Sequence, residues 1–269
     1  MQTDRDALLA GILADPDADL PRLVFADWLE ETGHPANCAR AEYIRLAIEL
    51  GEEKLQSGWP VQRHDPRLGV LKSMFRDEWD DFDTEIVGSG ECGRLRGFVH
   101  AISCRAEYLA RVLREAPRHP VRTLVFSGAF WAPDMYGDDD GSVPLSLPPA
   151  LHSLWCRSGR RLIQIEALMT HSPQTRLLNL MLDACDTTDD DVIRLVQVVR
   201  SSPTLRDLER LHLMNDHLTD HAAHTLAAAD WPPTLRSLNI EGTRITNAGR
   251  AVLFRRFGFE ELRPRLALS

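Results

Sequence analysis

Leu208-Glu209-Arg210-Leu211-His212-Leu213-Met214-Asn215-Asp216-His217-Leu218 is read again 27 residues later as Leu235-Arg236-Ser237-Leu238-Asn239-Ile240-Glu241-Gly242-Thr243-Arg244-Ile245. In both stretches the first, fourth, sixth and eleventh positions are apolar. The fourth and sixth have the period of two that a strand buries on one face. Upstream, Leu177, Leu180 and Leu182 repeat the spacing, with Cys185 in the place of Asp216. Leu151, Leu154 and Cys156 give a weaker copy with Gly159, and Val121, Leu124 and Phe126 another. The starts at 121, 151, 177, 208 and 235 are 30, 26, 31 and 27 residues apart. Self-similarity at such a period marks a chain of repeated units.

Between the strand signals lie helix signals. Thr219-Asp220 precedes Ala222, Ala223, Leu226 and Ala227, and Thr246-Asn247 precedes Ala248, Val252 and Leu253. Thr188 precedes three aspartates and then Val192, Ile193, Leu195 and Val196. A hydroxyl cap and acids in the first turn satisfy free N–H groups and the helix dipole. Each unit therefore reads strand, turn, helix. One unit cannot bury both its faces, so the expected fold class is α/β: a solenoid with a parallel sheet on its concave side and helices on its convex side. The segment 129–149, with Asp138-Asp139-Asp140-Gly141, reads as an insertion, and the spacing slips at Leu151–Gln164.

The N-terminal part differs. Residues 1–100 hold 20 acidic and 11 basic side chains, a balance of −9 that equals the formal charge of the whole chain. The spacing predicts helices over Asp4–Ala14, from about Pro21 to Thr32, from about Ala39 to Leu55, and over Pro66–Trp79. Leu23, Val24, Ala26, Trp28 and Leu29 are the expected buried face of the second, and Thr32-Gly33-His34-Pro35 its stop. Gly88–Gly93 reads as a loop. It precedes the strand-like Phe98–Ile102 instead of following a strand and opening a helix, so it lacks the context of a phosphate cradle. The expected organisation is an acidic helical region over 1–87 and a solenoid over 88–269, with a capping strand near 95–103 beside Val121–Phe126.

The repeats resemble leucine-rich repeats of the ribonuclease-inhibitor type; Leu218-Thr219-Asp220 and Thr243–Gly249 are similar to that subclass's turn into its helix. The N-terminal stretch resembles the bacterial repeat-companion domain. The residues that carry this are Asp15–Asp19, Pro21–Glu31 and Ala41–Leu46, with Arg96-Gly97-Phe98-Val99 and His119–Arg122 similar to its later part. The resemblance implies a fold and an interaction role, without an established chemistry.

Composition narrows the function classes. Hydrophobic residues make up 43% and charged residues 26%, as in globular domains. The charge of −9 argues against a general nucleic-acid binder. No apolar run approaches ~18 residues, and Met1–Asp6 lacks the basic start of a signal peptide, so a cytoplasmic location without a membrane span is expected. The five cysteines are odd in number and irregularly spaced, which fits free buried thiols better than disulfides or a zinc knuckle.

Candidate chemistry meets structural readings at each point. Asp15, Asp17 and Asp19 have D-x-D-x-D spacing, but Leu20 and Ala26 stand where a calcium loop needs glycine and glutamate, which favours turn formers. Asp138–Asp140 reads as a solvated insertion. His217, His221 and His224 are the best zinc candidate, yet they fall on an outer helix where histidines are ordinary. Cys104, Cys156 and Cys185 look structural, and no nucleophile elbow, H-E-x-x-H or phosphate loop is present. Arg22, Asp27 and Trp28 could line a pocket; the expected alternative is a buried Trp with an Arg–Asp pair fixing two helices. No catalytic, cofactor or metal residue is assigned.

The remaining surface is the concave one. The x positions of L-x-x-L-x-L give Arg122, Thr123 and Val125, then His152, Ser153, Trp155 and Arg157. Leu178, Asn179, Met181 and Asp183 follow, then Glu209, Arg210, His212 and Met214, and finally Arg236, Ser237, Asn239 and Glu241. The expected partner-binding set is Trp155, Arg157, Met181, Asp183, Arg210, His212, Met214, Asn239 and Glu241, centred on Trp155 with Arg157 and Arg210, because Trp and Arg are favoured anchors. The competing reading is that 129–149 or the C-terminal tail folds over Trp155. The function expected is a non-enzymatic module that presents this face to another protein. The alternative is a regulatory or inhibitory subunit that holds an enzyme or transcription factor through its acidic N-terminal region.

Overall fold

The computed structural model describes residues 2–51, 65–79, 91–128, 146–157 and 162–258. Expected features at 52–55, 88–90, 129–145, Gly159 and the C-terminal tail lie outside them.

Four helices open the chain: α1 (Gln2–Ala14), α2 (Leu20–Glu31), α3 (Pro35–Glu49) and α4 (Pro66–Trp79). In α2 the buried positions are Arg22, Phe25, Ala26 and Leu29. They follow the i, i+3, i+4, i+7 stripe of a helix, which leaves Val24 exposed and Trp28 half-buried, contrary to the sequence expectation. Pro35, expected as a stop, is the first residue of α3, where a missing N–H costs nothing. That helix ends at Glu49, before the expected Leu55, because Gly51 takes a left-handed φ of 62° just past the cap. In α4 the backbone leaves helical geometry at Phe75, whose ring stacks on Trp79.

A seven-stranded sheet follows: β1 (Glu91–Leu95), β2 (Phe98–Arg105), β3 (Thr123–Ser127), β4 (Ser153–Arg157), β5 (Asn179–Asp183), β6 (Arg210–Met214) and β7 (Ser237–Asn239), in sequence order. Every pair from β2 to β7 is parallel, and β1 runs antiparallel to β2. Glu91–Gly93, expected in a loop, are the start of β1. The hairpin turn is Arg96-Gly97, with φ of 51° and 83°, the double left-handed geometry that matches strand twist. A Cβ on Gly97 would meet Ile44 Cγ1 at 2.6 Å, so only glycine lets this turn lie against α3.

Parallel neighbours need crossovers. Among the described residues these carry a 3-10 turn (Ala106–Tyr108) with α5 (Leu109–Glu115) between β2 and β3, α6 (Leu162–Thr170) between β4 and β5, α7 (Asp189–Ser201) between β5 and β6, and α8 (Asp220–Ala228) between β6 and β7, while α9 (Asn247–Phe257) follows β7. Ile102, Leu124, Leu154, Leu180, Leu211 and Leu238 share one row of the register, and Cys104, Phe126, Cys156, Leu182 and Leu213 the next but one. Both rows are buried in one core with Leu109 and Val112 of α5, Val192 and Leu195 of α7, Leu226 of α8 and Leu253 of α9.

Threonine caps set the helix starts, and aspartates tie each start to its predecessor. Thr188 forms a reciprocal capping box with Asp191, while Thr219 and Thr246 accept from His221 N and Ala248 N. Thr219 donates its N–H and hydroxyl to Asp189, and Thr246 donates both to Asp220.

The helices meet the sheet through an apolar seam and an ionic one. Phe98 of β2 is buried among Ile12, Phe25, Ala26, Leu29, Ala41 and Ile44. Beside it, the Asp15–Asp19 turn gathers three arginines. Arg22 donates to the carbonyls of Ala18 and Pro16, Arg96 to Asp17 O and Asp19, and Arg122 to Asp17. No helix among the described residues is long and apolar enough to cross a membrane.

Candidate functional site

Side chains alternate across a strand, so the positions between the leucines face away from the crossover helices. Register places Val125, Trp155, Met181, His212 and Asn239 side by side in one row. Ser127, Arg157, Asp183 and Met214 form the next row, and Thr123, Ser153, Asn179, Arg210 and Ser237 the one before. The structure thus brings Trp155, Met181 and His212 into a line, with Met214 one row over and Glu241 just past β7.

These side chains are held by one another. The Arg157 guanidinium lies 5.5 Å from the Trp155 ring centroid and 3.8 Å from Asp183, a cation–π contact and an ion pair on one group. Asn215 Nδ2 donates to Asp183 Oδ1 at 2.7 Å. Asn179 bridges two strands, donating to Ser153 Oγ and accepting from Arg210. Asn239 Nδ2 donates to the Met214 sulfur at 3.2 Å and its Oδ1 accepts from Glu241 N. Asn215 was not among the expected residues. Its signal is an asparagine directly after a strand, with a left-handed φ of 55° that asparagine tolerates.

The face is less open than the sequence implies. Trp155, expected to face solvent unless a chain segment folds over it, is half-buried. Thr123, Val125, Ser153 and Ser237 are buried, as is Arg122. Short side chains lying between longer neighbours lose their exposure to them: Ser153 sits under Asn179, and Val125 beside Trp155. Met181, Asp183, Arg210, His212, Met214 and Asn239 are half-buried, and Arg157 and Glu241 exposed.

The other candidates fall elsewhere. Arg22 is buried at the Asp15–Asp19 turn, and Asp27 pairs across to Arg45 of α3 at 2.7 Å, so the expected Arg22–Asp27 pair does not form. Five residues, about 1.4 turns of helix, separate the two, so they leave α2 in different directions. Burial, with Arg96 close by, lowers the Arg22 guanidinium to about 10. Burial pushes the Cys104 thiol up to about 12 and holds Cys156 well above its ordinary value, so neither is a thiolate. Cys185 Sγ is buried and donates to Cys156 O of β4 at 3.2 Å. His221 and His224 stand exposed on α8, and His217 Nε2 lies 4.0 Å from Asp186. Among the described residues no group of three or more His, Cys, Asp or Glu is placed to hold a metal ion.

No family model matches the chain, and a search of curated proteins returns no match.

Proposed function

We propose that this chain is a non-enzymatic interaction module: a leucine-rich-repeat solenoid preceded by a helical region of repeat-companion type, acting in the cytoplasm and binding another protein through the sheet face. The observation that carries the reading is the aligned row Trp155–Met181–His212–Asn239, flanked by Arg157, Asp183, Arg210, Met214 and Glu241. An aromatic ring, two thioethers, amides and paired charges on adjacent strands are the composition of an interface core with a polar rim. Their mutual contacts hold them in place before a partner arrives, so less side-chain entropy is lost on binding. The excess of carboxylates supports a protein over a nucleic acid as that partner.

The test places a photo-crosslinking residue at Met181 and, as a control, at Ile193, which is exposed on α7. A single protein crosslinked from 181 and not from 193, and lost in Trp155→Ala, supports the reading. A Trp155→Ala chain that melts within a few degrees of the parent and crosslinks as before removes this face from the function.

A further inference from the structure

The charge of the N-terminal part has a place in the structure where it meets exposed apolar surface. A groove of about 750 Å³ runs along α3 between α2 and α4. Its walls carry Glu30, Glu42, Glu49 and Asp65, and its floor Leu46, Leu71 and Phe75, with Met74 at the rim. Met74 is 65% exposed and Val70, one turn before it on α4, 45% exposed. Residues at i and i+4 share a helix face, so α4 exposes Val70 and Met74 together, and of the two Met74 lines the groove. Thioether side chains adapt to varied apolar partners.

Two cations, Arg45 and Arg67, lie in the same walls, and both are engaged. Arg45 bridges Asp27 and Glu30 at 2.7 Å each, and Arg67 takes Glu42 through Nε and Nη2 at 2.6 and 2.7 Å. Asp65 accepts the N–H groups of Arg67 and Leu68 at the start of α4. Four carboxylates against two guanidiniums leave the lining negative, within a stretch that bears the chain's whole formal charge. A negative wall over an apolar floor, running between helices, complements a helix that is basic on one face and apolar on the other.

We propose that this groove is a docking site for a basic amphipathic helix of a partner protein. The apolar face of that helix sits on Leu46, Phe75 and Met74, and its lysines or arginines face Glu49, Glu42 and Glu30. The site is separate from the sheet face, and Trp155→Ala leaves it intact.

The test uses the full chain and a labelled helical peptide of ~18 leucines and lysines with an apolar stripe at i, i+3, i+4 and i+7. Two control peptides are used, one with the same residues in scrambled order and one with glutamate for lysine. Fluorescence anisotropy should show the striped basic peptide binding at least tenfold tighter than either control, and weakening as salt is raised. Met74→Lys, a change at an exposed position, should reduce that binding at least tenfold, and Ile193→Lys should not. Equal binding of the scrambled peptide, or a Met74→Lys chain that binds as before, overturns the proposal. So does an absence of binding to the full chain, which would mean that the chain's own segments fill the groove. Self-association of the chain that Met74→Lys abolishes would assign the groove to a second copy instead.

Discussion

Arg122 Nη2 donates to Asp17 Oδ2 at 2.8 Å, joining residues 105 positions apart. The same guanidinium donates through Nη1 to Ala150 O at 3.0 Å and to His152 Nε2 at 2.5 Å. An arginine only donates, so the ring nitrogen is the acceptor in this contact. One side chain thus ties the α1–α2 turn to the entrances of β3 and β4.

Arg122→Ala leaves a carbonyl, a ring nitrogen and a half-exposed carboxylate without their donor. The expected loss is about 1–3 kcal/mol of stability, the cost of unsatisfied groups of this kind. Asp17→Asn should cost less, because Asp17 keeps about half its exposure and water replaces the partner. Denaturant melts of both single variants and the double variant check this. Equal and additive losses would mean that the pair is not coupled.

Asp220 makes α9 sensitive to acid. The hydroxyl and N–H of Thr246 hold its carboxyl below the ordinary range. A depressed folded-state pKa contributes stability that is present above the unfolded value of 3.8 and is lost as pH falls through the folded value. Asp220→Ala should therefore lower the melting temperature at neutral pH and flatten the acid limb of its pH profile. Hydrogen exchange at the Thr246 amide should speed up in the variant, and an unchanged amide would show that the staple is idle.

Asp216 has the opposite sign. It is buried, its Oδ1 accepts from Thr187 N at 3.1 Å, and its Oδ2 has no hydrogen-bond partner. Burial holds its carboxyl above the ordinary range. A raised carboxyl pKa means that the folded state binds the proton more tightly, so stability is present below pH 3.8 and declines as pH rises through the folded value. Asp216→Asn keeps the acceptor and removes the charge. The expected gain is about 1 kcal/mol at pH 7, shrinking toward pH 4. Chemical melts at both pH values decide it, and a variant less stable than the parent at pH 7 refutes the account.

The rows of the sheet were legible because each rests on a local pattern: Leu211 and Leu213, or Leu180 and Leu182, alternate at the strand period and are followed by a threonine cap. From that alternation Trp155, Met181 and His212 could be aligned before any coordinates. The burial of Val125 and Ser153 was not legible, since it depends on the reach of neighbours on other strands. Strand β1 escaped because Glu91-Cys92-Gly93-Arg94-Leu95 carries a mixed pattern with a central glycine, and its pairing is fixed by the Arg96-Gly97 turn. The α3 start escaped because a proline stops one helix and opens another equally well. The three arginines on the Asp15–Asp19 turn leave no trace in any window of sequence, since Arg96 and Arg122 reach it only through the fold.

The strongest test of how the parts depend on one another is truncation. A chain starting at residue 120 loses β2 and α5, so Leu124 and Phe126 lose the neighbouring row members Ile102 and Cys104. Ile102, Leu109, Val112 and Leu113 are all buried in the same core as Leu124, Leu154 and Leu180. Burying such side chains contributes about 1.5–3 kcal/mol each. The four together approach the ~5–15 kcal/mol that holds a whole domain folded. The truncation also removes Asp17 from Arg122 and opens the backbone edge of β3, which invites strand-to-strand association. The 120–269 fragment should therefore be insoluble, or bind a hydrophobic dye and melt without a cooperative transition. A fragment starting at 91 restores β1, β2 and α5, and it should melt more sharply than the shorter one. A soluble 120–269 fragment with a sharp transition would show that the strands from β3 onward are stable without the cover of β2, and that the seam at Phe98 joins two units that fold independently.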